Sequence, residues 1–288
     1  LKNKVKKMCE KTEAKIHEEN PGEIMCSPRI LTDKQLIESA RHAIERNPMN
    51  SVNMVMAGRA LLADGVDDAE YEVDPLRLAL LASKYWGRDP RLTVGFLGRT
   101  PPDLIRRIMS HLNAWGHRGS GIQFVYTRNT KAAQVRINRE RHNDARYNGY
   151  WSYLGTDIEL YEGPYGQTMN LQGFTMGTPE SEYKRVVRHE AGHALGFNHE
   201  HKRSEILDRI NHEKAYEYYK RTNGWNKSVV DAQVLSPLTG HHVSTPFADP
   251  SSIMAYRIPS SILNPGAQPV PGGNDINDYD YDFVRQIY

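Results

Sequence analysis

The run His189-Glu190-Ala191-Gly192-His193-Ala194-Leu195-Gly196-Phe197-Asn198-His199-Glu200 carries the residue types that build a catalytic metal site. Two histidines four residues apart share one face of a helix, about 40° apart in projection and about 6 Å apart along the axis. Their neutral imidazoles can converge on one Zn²⁺ at about 2.0–2.1 Å. Glu190 stands next to the first histidine, where a carboxylate can take a proton from water as a general base.

His199 cannot join His189 and His193 if the helix continues, because six residues beyond His193 it points away. Gly196 supplies the turn, since glycine tolerates positive φ and commonly ends helices. Three protein ligands and one open position define a catalytic zinc site, whereas a structural site is closed by four. Upstream, Thr178 is expected as N-cap with Pro179 at the first helical position. Tyr183, Val187, Ala191 and Ala194 form an apolar stripe, with Val186, His189, Glu190 and His193 beside it. Solvent-exposed histidines on an ordinary helix are the plainer reading of HExxH alone, but the extended spacing is far more restrictive.

At these residues the chain resembles the metzincin clan of zinc endopeptidases. Gly196-Phe197-Asn198-His199-Glu200 is similar to the astacin family, in which glutamate follows the third histidine. Ser252-Ile253-Met254-Ala255-Tyr256 resembles the astacin Met-turn, with alanine where that motif carries histidine. The resemblance implies an α+β fold, in which a twisted mixed sheet and active-site helix stand above a less regular lower subdomain. It implies His189, His193 and His199 as ligands of one Zn²⁺ and Met254 as a hydrophobic floor beneath it. Tyr256 would be a movable fifth ligand that stabilises the oxyanion, and Glu200 a buried ionic anchor. Protein or peptide substrates and secretion are implied as well. The resemblance spans about Lys84 to Tyr288.

Composition agrees with a globular enzyme. With 288 residues, 39% of them hydrophobic, the chain can bury one large core or two smaller ones. A net charge of +2 gives no electrostatic case for nucleic acid. No apolar run reaches the length of a membrane span, and no signal peptide is visible at the lysine-rich start. Cys9 and Cys26 both precede the zinc motif. Animal astacins usually carry disulfides in the catalytic domain, so the lack of cysteine there points to a microbial relative.

Residues 1–83 are expected to form a helical N-terminal extension, either a pro-segment or a support region, and 84–288 the catalytic domain. Thr32-Asp33-Lys34-Gln35 reads as a capping box, followed by a stripe of Leu36, Ala40, Ala43 and Ile44 that stops before Pro48. Met54–Leu62 is a short apolar stretch, Asp64–Asp74 a loop, and Leu76–Trp86 another helix. Strands are expected at 92–97, 122–126, 133–137, 150–155 and 168–171, with a helix from Pro101 after the first. Helices follow at 210–221 and 227–235, a loop at 240–250, an irregular Pro/Gly-rich stretch at 264–273, and a closing helix from Asp278. An α+β domain with helices packed on a sheet fits that order.

Several signals stay open at this level. Substrate is expected as an extended strand along a sheet edge, for which 150–155 is a candidate edge or an internal strand. His201 is set aside as a fourth ligand because His199 fits the motif. Glu200 pairs either with the mature N-terminus or with Lys202 or Arg203. Arg257 either lines the pocket after the scissile bond, favouring acidic side chains, or is a solvated surface residue. Asp275–Asp280 is acidic enough to suggest calcium, yet it lacks the glycine and distal glutamate of an EF-hand loop; an N-cap is the stronger reading. Cys26 could ligate zinc and block the site, but a buried structural cysteine or a disulfide with Cys9 is favoured. The competing function is a catalytically inactive zinc-binding module that captures peptides or proteins.

Overall fold

Five short stretches rich in β-branched, aromatic and long apolar side chains pair into one mixed sheet in the computed structural model, which describes residues 26–27, 29–51, 82–237 and 247–288. The strands are β1 (Arg91–Phe96), β2 (Gln123–Tyr126), β3 (Val135–Asn138), β4 (Tyr150–Ser152) and β5 (Met169–Leu171). They lie in the order β2-β1-β3-β5-β4. The first three and β5 are mutually parallel, and β4 runs antiparallel to β5 with Trp151 opposite Asn170. Strand β4 therefore forms an edge. All five were expected, although the edge strand is only three residues long.

Parallel neighbours require crossovers, and α2 (Pro102–Leu112) makes the one between β1 and β2. Its buried face is Leu104, Ile108, His111 and Leu112, spaced as one side of a 3.6-residue helix. The segment before the zinc motif is helical in three pieces: one turn at Glu180–Glu182, a π-helical stretch at Tyr183–Val187, and α3 (Arg188–Ala194). Pro179 rather than Thr178 is its N-cap; the Thr178 hydroxyl instead accepts from the Thr175 N–H, which closes the preceding turn. A large apolar cluster joins the sheet, α2 and α3, and includes Trp115, Trp151, Phe174, Tyr183 and Met254.

Beyond His199 the chain is less regular. Here α4 (His212–Asn223), a helical segment at 227–235 and short turns surround a second apolar cluster containing Ile206, Tyr219, Val234 and Tyr256. The last helix, α5 (Asp278–Ile287), returns to the upper cluster through Tyr281 and Val284. Asn277 and Asp280 form its capping box, so the acidic run 275–280 acts as an N-cap, as its pattern favours.

The N-terminal extension contributes α1 (Asp33–Arg46), opened by the expected Thr32–Gln35 capping box. It packs against the Gly155–Glu159 turn. Ser39 donates to Asp157, Lys84 donates to Ser39, and the Lys84 ammonium lies 3.9 Å from Asp157, all three side chains being buried. Burial pushes the Asp157 carboxyl up and the Lys84 ammonium down, and their attraction opposes both shifts. Residues 82–86 are irregular rather than the end of a helix. Asn50 holds them there, since its side chain bonds both the Tyr85 N–H and the Tyr85 carbonyl. The stretches 54–62 and 64–74, the start of that expected helix and most of the 240–250 loop lie outside the described residues.

Removing one member of a buried pair leaves its partner's charge uncompensated. Lys84→Met is therefore expected to destabilise the fold by about 3–5 kcal/mol, with much of the loss recovered in Lys84→Met/Asp157→Leu. Thermal denaturation of the two variants checks this; an unchanged midpoint for the single variant would rule out a structural role for the pair.

Candidate metal centre and active site

The exit of α3 is what brings the third histidine to the first two. Gly196 has φ +99°, its N–H donates to the His193 carbonyl at 2.8 Å, and the Phe197 N–H reaches back to the Gly192 carbonyl at 3.0 Å. This is the double bond pattern of a Schellman turn. Two further carbonyls at the helix end are capped by side chains. The Trp86 indole donates to Ala194 O at 2.8 Å, and the Tyr288 hydroxyl donates to Leu195 O. Helix ends leave such carbonyls without intrahelical partners, and here neither depends on water.

The chain reverses and places His199 beside the other two. The His199 Nε2 lies 3.1 Å from His189 Nε2 and 3.1 Å from His193 Nε2. His189 Nδ1 is 2.6 Å from the Ile253 carbonyl and His193 Nδ1 is 2.8 Å from the Phe197 carbonyl. A carbonyl accepts, so each Nδ1 carries the proton and each Nε2 presents a bare lone pair. Burial holds all three imidazoles below the usual histidine pKa, with His189 lowered to about 4. Neutral nitrogens facing one another at this distance repel unless a cation lies between them. Two such nitrogens, with the His199 Nε2 between them in reach of both, fit Zn²⁺, which takes neutral imidazole ligands.

Glu190 is fully buried; its carboxyl has no N–H or O–H partner among the described residues, and the Cys26 thiol is the hydrogen-bonding group beside it. Burial pushes its pKa up to about 8. Met254 is packed against Gly192: a Cβ added there would come within 2.5 Å of Met254 Sδ and 3.0 Å of Trp115. The glycine between the two histidines is thus what lets the Met-turn close on the helix. Asp280 holds that turn from the other side, accepting from the Ser252 hydroxyl at 2.6 Å and the Ile253 N–H at 3.2 Å.

Tyr256 lies with its ring centroid 4.4 Å from that of His199 and is stacked on His201 at 4.1 Å with 18° between planes. The Tyr256 N–H donates to His201 Nδ1 at 3.2 Å. His201, set aside from the sequence, is fully buried and supports the tyrosine from beneath. Glu200 bonds to Arg203 at 3.3 Å and accepts the Asp249 N–H at 3.0 Å, so it ties the turn after the third histidine to the segment before the Met-turn. Arg257 is exposed one residue past Tyr256.

One residue comes to the site against expectation. The Cys26 thiol is free and buried, and its sulfur lies within 4.8 Å of the ligand nitrogens of His189, His193 and His199. Cys26 forms a single parallel bridge to Tyr150 at the β4 edge, where the Ser27 N–H donates to the Tyr150 carbonyl at 2.9 Å. The Tyr256 hydroxyl donates to the Cys26 carbonyl. No disulfide holds this cysteine; it is buried at the second apolar cluster, as a structural cysteine would be, with its sulfur beside the histidines; Cys9 lies outside the described residues. Cysteine's metal chemistry was the available signal, but a separation of more than 160 residues from His189 hid the contact.

The fold and the site are those of a metal-dependent peptidase. The peptidase family described as Astacin matches residues 108–261, more than half of the 288 residues, and the chain belongs to that family. It is by membership a zinc metalloendopeptidase. A solved structure titled "Structure of myroilysin" is 27% identical with a TM-score of 0.61, covering 71% of this chain and 95% of that one. A second, titled "Crystal structure of myroilysin", is 28% identical with a TM-score of 0.52, covering 72% and 86%. High choriolytic enzyme 1, a hatching enzyme zinc-protease from the medaka Oryzias latipes, is 22% identical with a TM-score of 0.45, covering 70% and 92%. No protein with a curated description matches the chain.

The turn at Gly196 yields a direct expectation. Gly196→Ala forces a side chain into positive φ and sets a Cβ 3.0 Å from the Lys84 carbonyl. Stability should fall by about 1–2 kcal/mol or more. Affinity for zinc should fall with it, because His199 moves. Zinc titration with thermal denaturation measures both; wild-type zinc affinity in the variant would break the link between the turn and the third ligand.

Proposed function

We propose that the chain hydrolyses internal peptide bonds of proteins, with His189, His193 and His199 holding one Zn²⁺, Glu190 moving the proton and Tyr256 receiving the oxyanion. The observation that carries this reading is the convergence of three buried imidazole nitrogens beside a buried carboxyl. Zinc bound there would polarise water and the scissile carbonyl. Glu190 accepts one proton from the attacking water as the new C–O bond forms. It then delivers that proton to the departing amine as the C–N bond breaks. The Tyr256 hydroxyl, kept protonated by burial, donates to the carbonyl oxygen as negative charge builds on it. Its present bond to a backbone carbonyl is of the same chemical kind.

Substrate would lie extended along β4, where main-chain bonds give affinity with little demand on sequence. Arg257 would favour acidic side chains just past the scissile bond, and comparing the cleavage profiles of wild type and Arg257→Ala decides whether it does. Secretion suits a protein-degrading activity, and no helix among the described residues is long and apolar enough to cross a membrane.

Because Cys26 lies in the centre, the roles are best tested in a Cys26→Ser background. There Glu190→Gln should still bind one zinc but lose about 10²–10⁴-fold in casein cleavage. Tyr256→Phe should lose about 10²–10³-fold in kcat. Casein cleavage undiminished by Glu190→Gln would sink the assignment, and its absence from the parent would favour an inactive zinc-binding module.

A further inference from the structure

Strand β4 is the edge of the sheet, and a cage of aromatic rings stands beside it. A cation already sits in that cage. The Arg29 guanidinium carbon lies 4.2 Å from the Tyr147 ring centroid and 5.3 Å from that of Trp151, and Nη1 donates to the Arg146 carbonyl at 2.6 Å. Tyr153 closes a third side: burial raises its hydroxyl pKa, and the charge and hydrogen bonding of the guanidinium oppose that rise. Among the described residues, no carboxylate pairs with Arg29. Ring faces and a carbonyl hold the charge instead, as cation–π attraction allows.

The cage does not owe its shape to Arg29. Trp151 is fully buried on β4, and its indole donates to the Tyr147 carbonyl at 3.0 Å. Asp144 caps the turn that carries Tyr147, accepting the Arg146 N–H at 3.0 Å. The Tyr147 ring stands 5.4 Å from His142 and 6.3 Å from Trp151, and Trp151 meets Tyr153 edge to face at 5.7 Å. The position is also informative. Arg29 is three residues from Cys26, whose sulfur lies within 4.8 Å of the histidine nitrogens. Three residues of chain span at most about 11 Å. The cage is thus in reach of a side chain about three residues from a peptide bond held at the metal centre.

We infer that Tyr147, Trp151 and Tyr153, with the Arg146 carbonyl, form a substrate subsite for a basic side chain, arginine foremost, about three residues from the bond being cut. The inference rests on the endopeptidase reading above and names a substrate class for it. Main-chain pairing along β4 gives affinity without sequence preference, so selectivity has to come from pockets for side chains. This one selects for charge. A guanidinium can lie flat on the rings while its edge donates to the carbonyl, which the point charge of an ammonium cannot match.

The test uses the full zinc-loaded chain carrying Cys26→Ser and Arg29→Ala, which empties the cage. Its substrates are peptides alike except for arginine, lysine or norleucine, placed in turn at each position around the cleaved bond. At one position about three residues from that bond, arginine should lower KM roughly three- to tenfold against norleucine with kcat unchanged, and lysine should fall between. Tyr147→Leu should erase the difference and leave cleavage of the norleucine peptide as it was, whereas Tyr147→Phe, which keeps the ring, should retain it. Restoring Arg29 should shrink the preference, because the chain's own guanidinium competes for the rings. Calorimetry on the same chain with Glu190→Gln reads peptide affinity without turnover. Equal affinities for arginine and norleucine peptides at every position overturn the subsite, whether or not Tyr147→Leu folds. Arginine-dependent binding with no cleavage of any peptide when Glu190 is intact overturns the endopeptidase reading alone.

Discussion

Three neutral imidazoles are crowded together, with the His199 Nε2 3.1 Å from the Nε2 of each of the other two, and the surrounding structure holds them there. Two are set by helical spacing. Their tautomers are set from outside the helix, by the carbonyls of Ile253 and Phe197. Ile253 belongs to the Met-turn and Phe197 to the Schellman turn, so the two distant halves of the site orient the same rings. Such outer bonds fix ligand direction as much as the ligands themselves. The arrangement stores repulsion that a divalent cation relieves, and metal binding and stability are coupled as a result.

That constraint explains why the helix exit is so heavily secured. Helix ends tend to fray, and the Schellman turn at Gly196 satisfies only part of this one. Here Trp86 and Tyr288, one before the sheet and one at the end of α5, bond the carbonyls of Ala194 and Leu195. Phe197 packs its ring against Tyr85, Trp115, Phe283 and Tyr288. The metal centre also lies where two apolar clusters meet: Met254 belongs to the upper one, and Tyr256 and Cys26 to the lower. Two residues of chain therefore cross from one core to the other directly beneath the metal. The subdomains cannot shift without moving the floor of the site.

What could be read from the sequence was local or dense in pattern. The spacing of His189, His193, Gly196 and His199 predicts the turn that is seen, and the stripe leading into α3 is buried where periodicity puts it, whereas on α1 Ala40 and Ala43 are buried but Ile44 is exposed. The capping box at Thr32 and the N-cap before α5 were legible for the same reason, since each is a short run of defined chemistry. The failures share a cause. Residues 82–86 have helical composition, yet Asn50 holds Tyr85 from a distance and the segment is irregular. Thr178 has the right chemistry for an N-cap, but its hydroxyl is committed to Thr175. Cys26 and His201 acquire meaning only from partners that tertiary structure supplies.

The N-terminal extension is held in two different ways. Along α1 the buried Ser39 hydroxyl bridges the Lys84 ammonium and the Asp157 carboxyl, and His42 and Arg46 meet Glu159 nearer the surface. Neither charge of the Lys84–Asp157 pair belongs to α1, so the helix contributes a bridge and a cover to the pair. Keeping water from a paired charge raises the cost of losing either partner, which makes the helix matter to the pair without supplying one of its charges. Residues 26–29 are held instead by an edge-strand bond, a cation over aromatic rings and contacts at the three histidines.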